Sequence, residues 1–374
     1  MHRITILLSA LLTAAVAEAA MPHYREVPTS EAPAVDRGAV RRYIVQSEFL
    51  GDDMTVDIWT PEGYSESGTA RYPVLYAHDG QNILDPAMSF AGVDWDLDNT
   101  AQRLTDEGRI DAPIVVAMHN RGDKGLRPSD YFPEKVIDYI PEADRDKTKI
   151  FQTCKDGFFG DEEAAFVAAE LKPLIDSLYR TDERASHTFT IGSSMGGLAS
   201  LYLLCEYPDV FGGAACMSTH WVGSFEIDGS YNLSDDPVCA RAILAFMEAC
   251  LPSSAGHILY LDQGTAGWDA LYSKYEPDAR RIAAEKGYSE SDGTLMCHDA
   301  AGAGHNEWFW QQRAALPLEF LFAKRRFATV TSPVTCFPAD NTYISVSGTV
   351  HHISDPTLLA PGIYIHRGRK LIRP

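Results

Sequence analysis

One short signature, Gly192-Ser193-Ser194-Met195-Gly196, constrains this 374-residue chain more than anything else in it. It follows Thr188-Phe189-Thr190-Ile191, a β-branched and aromatic run. It precedes a stretch in which Leu198, Leu201, Tyr202 and Cys205 recur at helical spacing. A G-x-S-x-G pattern between a strand and a helix predicts a tight, strained turn that lifts its serine above a sheet. Glycines at 192 and 196 let the two backbones approach closely. The glycine spacing selects Ser194 rather than Ser193. It also puts the Met195 N–H at a helix N-terminus, where it can face a developing oxyanion.

The rest of the chain supplies matching elements. Strands are expected at 43–50, 54–59, 73–77, 113–118, 213–217 and 257–261. Helices are expected at 94–105, 164–179, 237–250, 270–286 and 307–322. The charged stretch 121–160, rich in Gly, Pro and Asp, reads as an ordered loop or lid. Apolar strands alternating with helices predict an α/β fold with a mostly parallel sheet covered on both faces. From 328 the character changes to Thr-Val-Thr-Ser-Pro-Val-Thr and later Pro361-Gly362-Ile363-Tyr364-Ile365, a small β-rich appendage over 328–374.

The chain begins Met1-His2-Arg3, continues almost wholly apolar from Ile4 to Ala17, and then reads Ala17-Glu18-Ala19. A basic start, a short apolar core and a small-x-small site predict a secretory signal over 1–19. The catalytic domain would then be 20–327, exported to a periplasmic, cell-surface or extracellular location. No later stretch is long and apolar enough to cross a membrane. The net charge of −20, from 32 Lys and Arg against 52 Asp and Glu, repels nucleic acid at long range. Seven cysteines form no C-x-x-C, which argues against a zinc or redox cysteine site. Cys205 and Cys216 lie in apolar runs, while Cys239, Cys250 and Cys297 are available for pairing.

A serine hydroxyl needs a base to take its proton, and a carboxylate to hold that base in one tautomer. Where the serine sits in this turn, the chain order is serine, acid, histidine. His305, in the small-residue loop Ala301-Gly302-Ala303-Gly304 before a helix, is the leading base. His298 is weaker, and His351, His352 and His366 fall in the appendage. For the acid, Asp262 ends a strand and Asp269 follows the glycine-containing loop after it. Loop position leaves both open. A metal-dependent hydrolase built on His78, Asp79 and His305 lacks recurring ligand spacing, so neither metal nor cofactor is expected. A non-catalytic binding protein on a hydrolase scaffold is the other class, and the ordered set of serine, acid and histidine candidates counts against it.

Several segments in order extend the pattern across residues 40–325: Tyr72-Pro-Val-Leu-Tyr-Ala-His-Asp-Gly-Gln-Asn82, Arg127-Pro-Ser-Asp-Tyr-Phe-Pro133, Glu170-Leu-Lys-Pro173, Gly192-Ser-Ser-Met-Gly-Gly197, Tyr207-Pro-Asp-Val-Phe211, Asp262-Gln-Gly-Thr265 with Asp269, and Gly304-His305. Together they resemble the esterase D-type branch of the α/β hydrolases, which includes feruloyl, acetyl-xylan and siderophore esterases. The resemblance implies an α/β-hydrolase fold and Asp269 as the acid. It also implies a second oxyanion N–H from the loop after residue 77, with Gln81 as the choice and Gly80 the alternative. His78, Asp79, His119, Asn120 and Arg121, on the loops after two strands, are candidates for substrate contact. Arg127 is expected to pair with Asp130 and fix its loop. The implied activity is that of an exported serine carboxylesterase on carbohydrate-linked esters such as feruloyl or acetyl groups, with a siderophore or lactone esterase next. The tail has two readings: a β-hairpin that completes the catalytic domain, or, with Pro361-Gly-Ile-Tyr-Ile365 and Arg367-Gly-Arg-Lys370, a segment that resembles short sorting regions of type IX secretion cargo, which would make secretion machinery a partner.

Overall fold

Nine strands form one sheet in the order β1-β2-β3-β5-β4-β6-β7-β8-β9. The computed structural model describes residues 21–223 and 233–324, together with four C-terminal strands. The expected signal segment therefore lies outside the described residues. In the sheet, β1 (Tyr24–Glu26), β2 (Ala39–Ser47) and β3 (Asp52–Thr60) are antiparallel. β3 meets β5 (Ile114–Met118) antiparallel. From there β5, β4 (Val74–His78), β6 (Thr188–Ser193), β7 (Gly213–Met217), β8 (Ile258–Gly264) and β9 (Leu295–Ala300) run parallel.

Strands β4 to β8 of this parallel set are buried along their whole length, as continuous apolar runs with both faces covered require. One core cluster includes Val56, Tyr76, Leu198, Phe211 and Ile243; the other includes Leu75, Ile191, Tyr260, Trp310 and Leu318. The two lie on opposite faces because alternate residues of one strand, such as Leu75 and Tyr76, belong to different clusters. The sheet and its helices form an α/β-hydrolase fold. The C-terminal ends of β5, β4, β6, β7, β8 and β9 lie side by side, and Ser194, Asp269 and His305 lie on the turns that follow β6, β8 and β9.

The helices Leu97–Asp106, Met195–Glu206 and Pro237–Cys250 match their expected segments. The helix expected over 164–179 starts at residue 160 and includes a π-helical stretch, Phe166–Leu171. Two other expected helices are each broken in two, into Asp269–Tyr272 with Glu276–Glu285 and Glu307–Arg313 with Ala315–Phe322. The stretch 121–160 is built of short helical turns. Among the described residues Cys154, Cys205, Cys216, Cys239, Cys250 and Cys297 are unpaired, and Cys336 lies outside them. A second compact unit begins at residue 325. Its strands β10 (Thr342–Ser345), β11 (Val350–His352), β12 (Gly362–His366) and β13 (Arg369–Arg373) form an antiparallel sheet in the order β11-β10-β12-β13.

Candidate active site

Strand β6 ends at Ser193, and Ser194 turns the chain with φ 57° and ψ −122°. A non-glycine residue in that conformation carries strain of about 1–3 kcal/mol, held in place by its surroundings. Here the Ser194 N–H donates to the Met217 carbonyl at 2.9 Å, and its own carbonyl accepts from His220 N–H at 3.1 Å. A Cβ on residue 192 would stand 2.3 Å from the Gly196 carbonyl oxygen, so only glycine lets strand and helix meet here. Met195 opens the helix Met195–Glu206, and an N–H at that position has no intrahelical acceptor.

Asp269 and His305 come together from segments 36 residues apart. His305 Nδ1 lies 2.5 Å from Asp269 Oδ1, and the Asp269 side chain is fully buried. Gly264 makes that approach possible: its N–H donates to Asp269 Oδ2 at 2.6 Å, and a Cβ there would lie 2.2 Å from the Ala303 carbonyl oxygen. The imidazole is enclosed by Trp268, Tyr272 and Trp310, with ring centroids at 5.5, 5.5 and 4.9 Å.

Ser218 settles which atoms carry protons. Its Oγ lies 2.5 Å from Asp269 Oδ2, 3.0 Å from Trp310 Nε1 and 2.8 Å from Arg313 Nη2. Indole and guanidinium are donors only, so the serine's single proton goes to Asp269. Asp269 then receives donors from Ser218, Gly264 and His305. Nδ1 of His305 carries the proton and Nε2 is left as a base. Burial opposes charge on Asp269, but the hydrogen bond and charge of His305, with the Ser218 and Gly264 bonds, hold its pKa below the usual aspartate value.

Asp262, the other acid left open by the sequence, has a different post. It accepts from Arg313 at 2.8 and 3.1 Å, from the Tyr260 hydroxyl at 2.8 Å and from Ser218 N–H at 3.0 Å. Tyr272 stands beside the histidine: its phenol lies 3.0 Å from His220 Nδ1, and its ring stands edge-on to His305. Burial and the Asp269 charge push the Tyr272 pKa well above its ordinary value, so the phenol stays neutral.

After β4 the chain turns through Asp79, at φ 59°, into the one-turn helix Gly80–Asn82. The Gln81 side-chain oxygen accepts from the Asn120 N–H at 3.3 Å, joining this turn to the loop after β5. Asp79 receives Arg127 through Nε and Nη2, both at 2.6 Å, and Asn120 Nδ2 at 2.6 Å. Arg121 takes Asp130 at 2.5 and 3.0 Å. The expected Arg127–Asp130 pair is therefore replaced by two crossed pairs, Arg127–Asp79 and Arg121–Asp130. Asp130 is buried beside Arg121, while the left-handed turn at 79 presents its carboxylate to Arg127. His119 Nε2 lies 2.7 Å from Asp57, which Arg42 also clasps. His78 is fully buried, with Nδ1 3.1 Å from Ser200 Oγ and Nε2 3.3 Å from Glu163 but not aligned to hydrogen-bond it. The five candidates for substrate contact, His78, Asp79, His119, Asn120 and Arg121, are thus engaged in internal pairs that brace the two loops.

This serine turn, acid and histidine sit in a recognisable framework. The sequence pattern of the family described as "Putative esterase" matches residues 47–313. The chain belongs to that family. It is a carboxylic ester hydrolase. A ferulic acid esterase superposes with TM-score 0.53 at 17% identity, over 77% of this chain and 99% of that one. The enterobactin esterase FES of Shigella flexneri gives 0.52 at 17%, over 78% of this chain and 60% of its own. The feruloyl esterase module from Clostridium thermocellum gives 0.51 at 16%, over 80% and 94%. At these identities the likeness is one of fold. The uncharacterized protein YjcH of Bacillus subtilis is 24% identical over 183 residues, 49% of this chain and 62% of that relative's length.

Several residues of this esterase's site carry no motif. Ser218, Trp310 and Arg313 act through contacts that only the folded chain creates. Tyr272 gives one local hint, since it lies one helical turn after Asp269. His78, Asp79 and His305 do not form a ligand cluster. Among the described residues one group of three could hold a metal ion: Asp94, Asp96 and Asp98.

Proposed function

We propose that the protein is an exported serine carboxylesterase acting on carbohydrate-linked acyl esters, such as feruloyl or acetyl groups, through Ser194, His305 and Asp269. The observation that carries this reading is the 2.5 Å contact between His305 Nδ1 and Asp269 Oδ1 beside the strained Ser194 turn. His305 Nε2 takes the Ser194 proton as the hydroxyl oxygen attacks the acyl carbon. The carbonyl π electrons move to oxygen, and the N–H groups of Met195 and Gln81 receive that charge. Collapse expels the alcohol, which leaves with the proton from His305. Water then repeats the sequence on the acyl-enzyme, and the acid is released.

The acidic balance, −20 over the chain, favours neutral polymeric esters over anionic ones at long range. The expected signal over 1–19 supports export, and the tail's likeness to sorting regions names secretion machinery as a partner. A panel of feruloyl, acetyl and catecholate-siderophore esters, with product identification by mass spectrometry, tests the substrate. Fluorophosphonate should label the wild type and fail to label Ser194→Ala. Ser194→Ala and His305→Ala should each lower kcat by about 10⁶-fold. Undiminished labelling of Ser194→Ala would overturn the assignment, and release of siderophore fragments alone would overturn the substrate class.

A further inference from the structure

The segment Asp94-Trp95-Asp96-Leu97-Asp98 has no part in the ester chemistry, yet it collects three carboxylates. One oxygen from each of Asp94, Asp96 and Asp98 lies within 4.8 Å of the others. Oxygen ligands sit 2.3–2.6 Å from calcium, so two on opposite sides of one ion are about 5 Å apart. The three oxygens therefore fall inside the span of a single coordination sphere. Burial makes this more than an acidic patch: Asp94 is 6% exposed and Asp98 1% exposed. Asp98 Oδ1 is also completely buried and, among the described residues, has no hydrogen-bond partner. A buried carboxylate oxygen left without a donor costs several kcal/mol unless something positive meets it.

The charged groups that bear most on Asp94 and Asp98 are acidic as well: Asp96 and Asp85 on the first, Asp96 and Asp94 on the second. The local backbone suits a ligand loop. Asp96 sits at φ 52° and turns the chain so that successive alternate side chains converge. Asp96 Oδ1 is held by Asn99 Nδ2 at 2.7 Å.

We infer that Asp94, Asp96 and Asp98 bind one calcium-type divalent cation, which locks the loop that buttresses the active site. The loop's position gives the site its role. Trp95 N–H donates to the Asn82 carbonyl at 2.9 Å and Leu97 N–H to Ile83 at 3.3 Å, which fixes the far end of the turn carrying Gln81. The Trp95 ring packs on Trp310 at 5.8 Å, and Trp310 packs on His305. The cation thus stiffens two supports of the site without touching a reacting atom.

The test uses the full chain, stripped with chelator and then titrated with CaCl2 or MgCl2 by calorimetry and thermal unfolding. One equivalent of calcium should bind. At about 100-fold excess over Kd, Tm should rise by about 3 °C or more. Asp94→Asn and Asp98→Asn should each weaken binding at least about tenfold. Terbium, a calcium stand-in, should show emission sensitised by indole excitation, displaced by calcium and much reduced in Trp95→Phe. The Trp95→Phe reading locates the ion even if an aspartate variant fails to fold. No heat and no Tm change with either cation at 10-fold above ~1 mM would overturn the inference. So would calcium binding that is unchanged in both aspartate variants. Neither outcome bears on the serine chemistry, which fluorophosphonate labelling reads separately.

Discussion

At the scale of single residues, Ser218 decides more than its size suggests. It connects a buried arginine, a tryptophan indole and the carboxylate that faces the histidine. Ser218→Ala removes the donor to Asp269 and leaves Trp310 Nε1 facing a methyl group. A hydrogen bond to a charged group is worth about 1.5–3 kcal/mol. If that bond orients the acid, kcat should fall by about 10–100-fold with KM nearly unchanged, as steady-state kinetics on a soluble ester would show. A purely structural serine would instead lower Tm and leave kcat of the folded fraction intact. The legibility of the site follows the same division. In the sequence Ser194 and His305 are marked locally, by a turn signature and a small-residue loop. Asp269 was separable from Asp262 on residue spacing only once Arg313 was seen to claim Asp262. The Arg127–Asp130 expectation failed because short-range spacing counted for less than the pull of Asp79 across the sheet end.

At the scale of elements, the parallel strands were readable because each is a short apolar run. Strand β9, Leu-Met-Cys-His-Asp-Ala, was not, since it lies at the sheet edge and is only partly buried. Helical periodicity continues through 270–286, yet the helix stops at Tyr272 and restarts at Glu276, with Pro277 in its first turn. That interruption leaves Asp269 and Tyr272 on a single turn aimed at the histidine. The first long helix, expected from 94, starts instead three residues later at Leu97, just after the turn at Asp96. The β8 end has so little room that Gly264→Ala should act on both stability and chemistry. Its Cβ would meet the Ala303 oxygen at 2.2 Å and Asp269 Oδ2 at 2.7 Å. Overpacking of this kind costs about 1–3 kcal/mol. Denaturant unfolding should show that loss, and kcat should fall further than stability alone explains because the displaced group is Asp269.

At the scale of the whole molecule, pH acts through buried acids. Glu276 is 1% exposed, accepts from Trp221 Nε1 at 2.6 Å, and burial raises its pKa from 4.5 to about 7. Its folded form holds the proton more tightly than its unfolded form. The stability it contributes is therefore full below about pH 4.5 and is lost as pH rises through about 7. Relative to Glu276→Gln, the wild type should lose up to about 3 kcal/mol over that window in denaturant titrations. Asp269 works in the opposite sense: its lowered pKa stabilises the fold above the ordinary aspartate value and fails only as acid approaches its depressed one. The order in which the chain emerges has its own consequence. The proposed nucleophile is made more than a hundred residues before the proposed base, and Arg313 and Trp310 follow later still. A nascent polypeptide whose last helices have not docked holds an inert alcohol rather than an armed one. Hydrolytic competence would begin only where folding finishes.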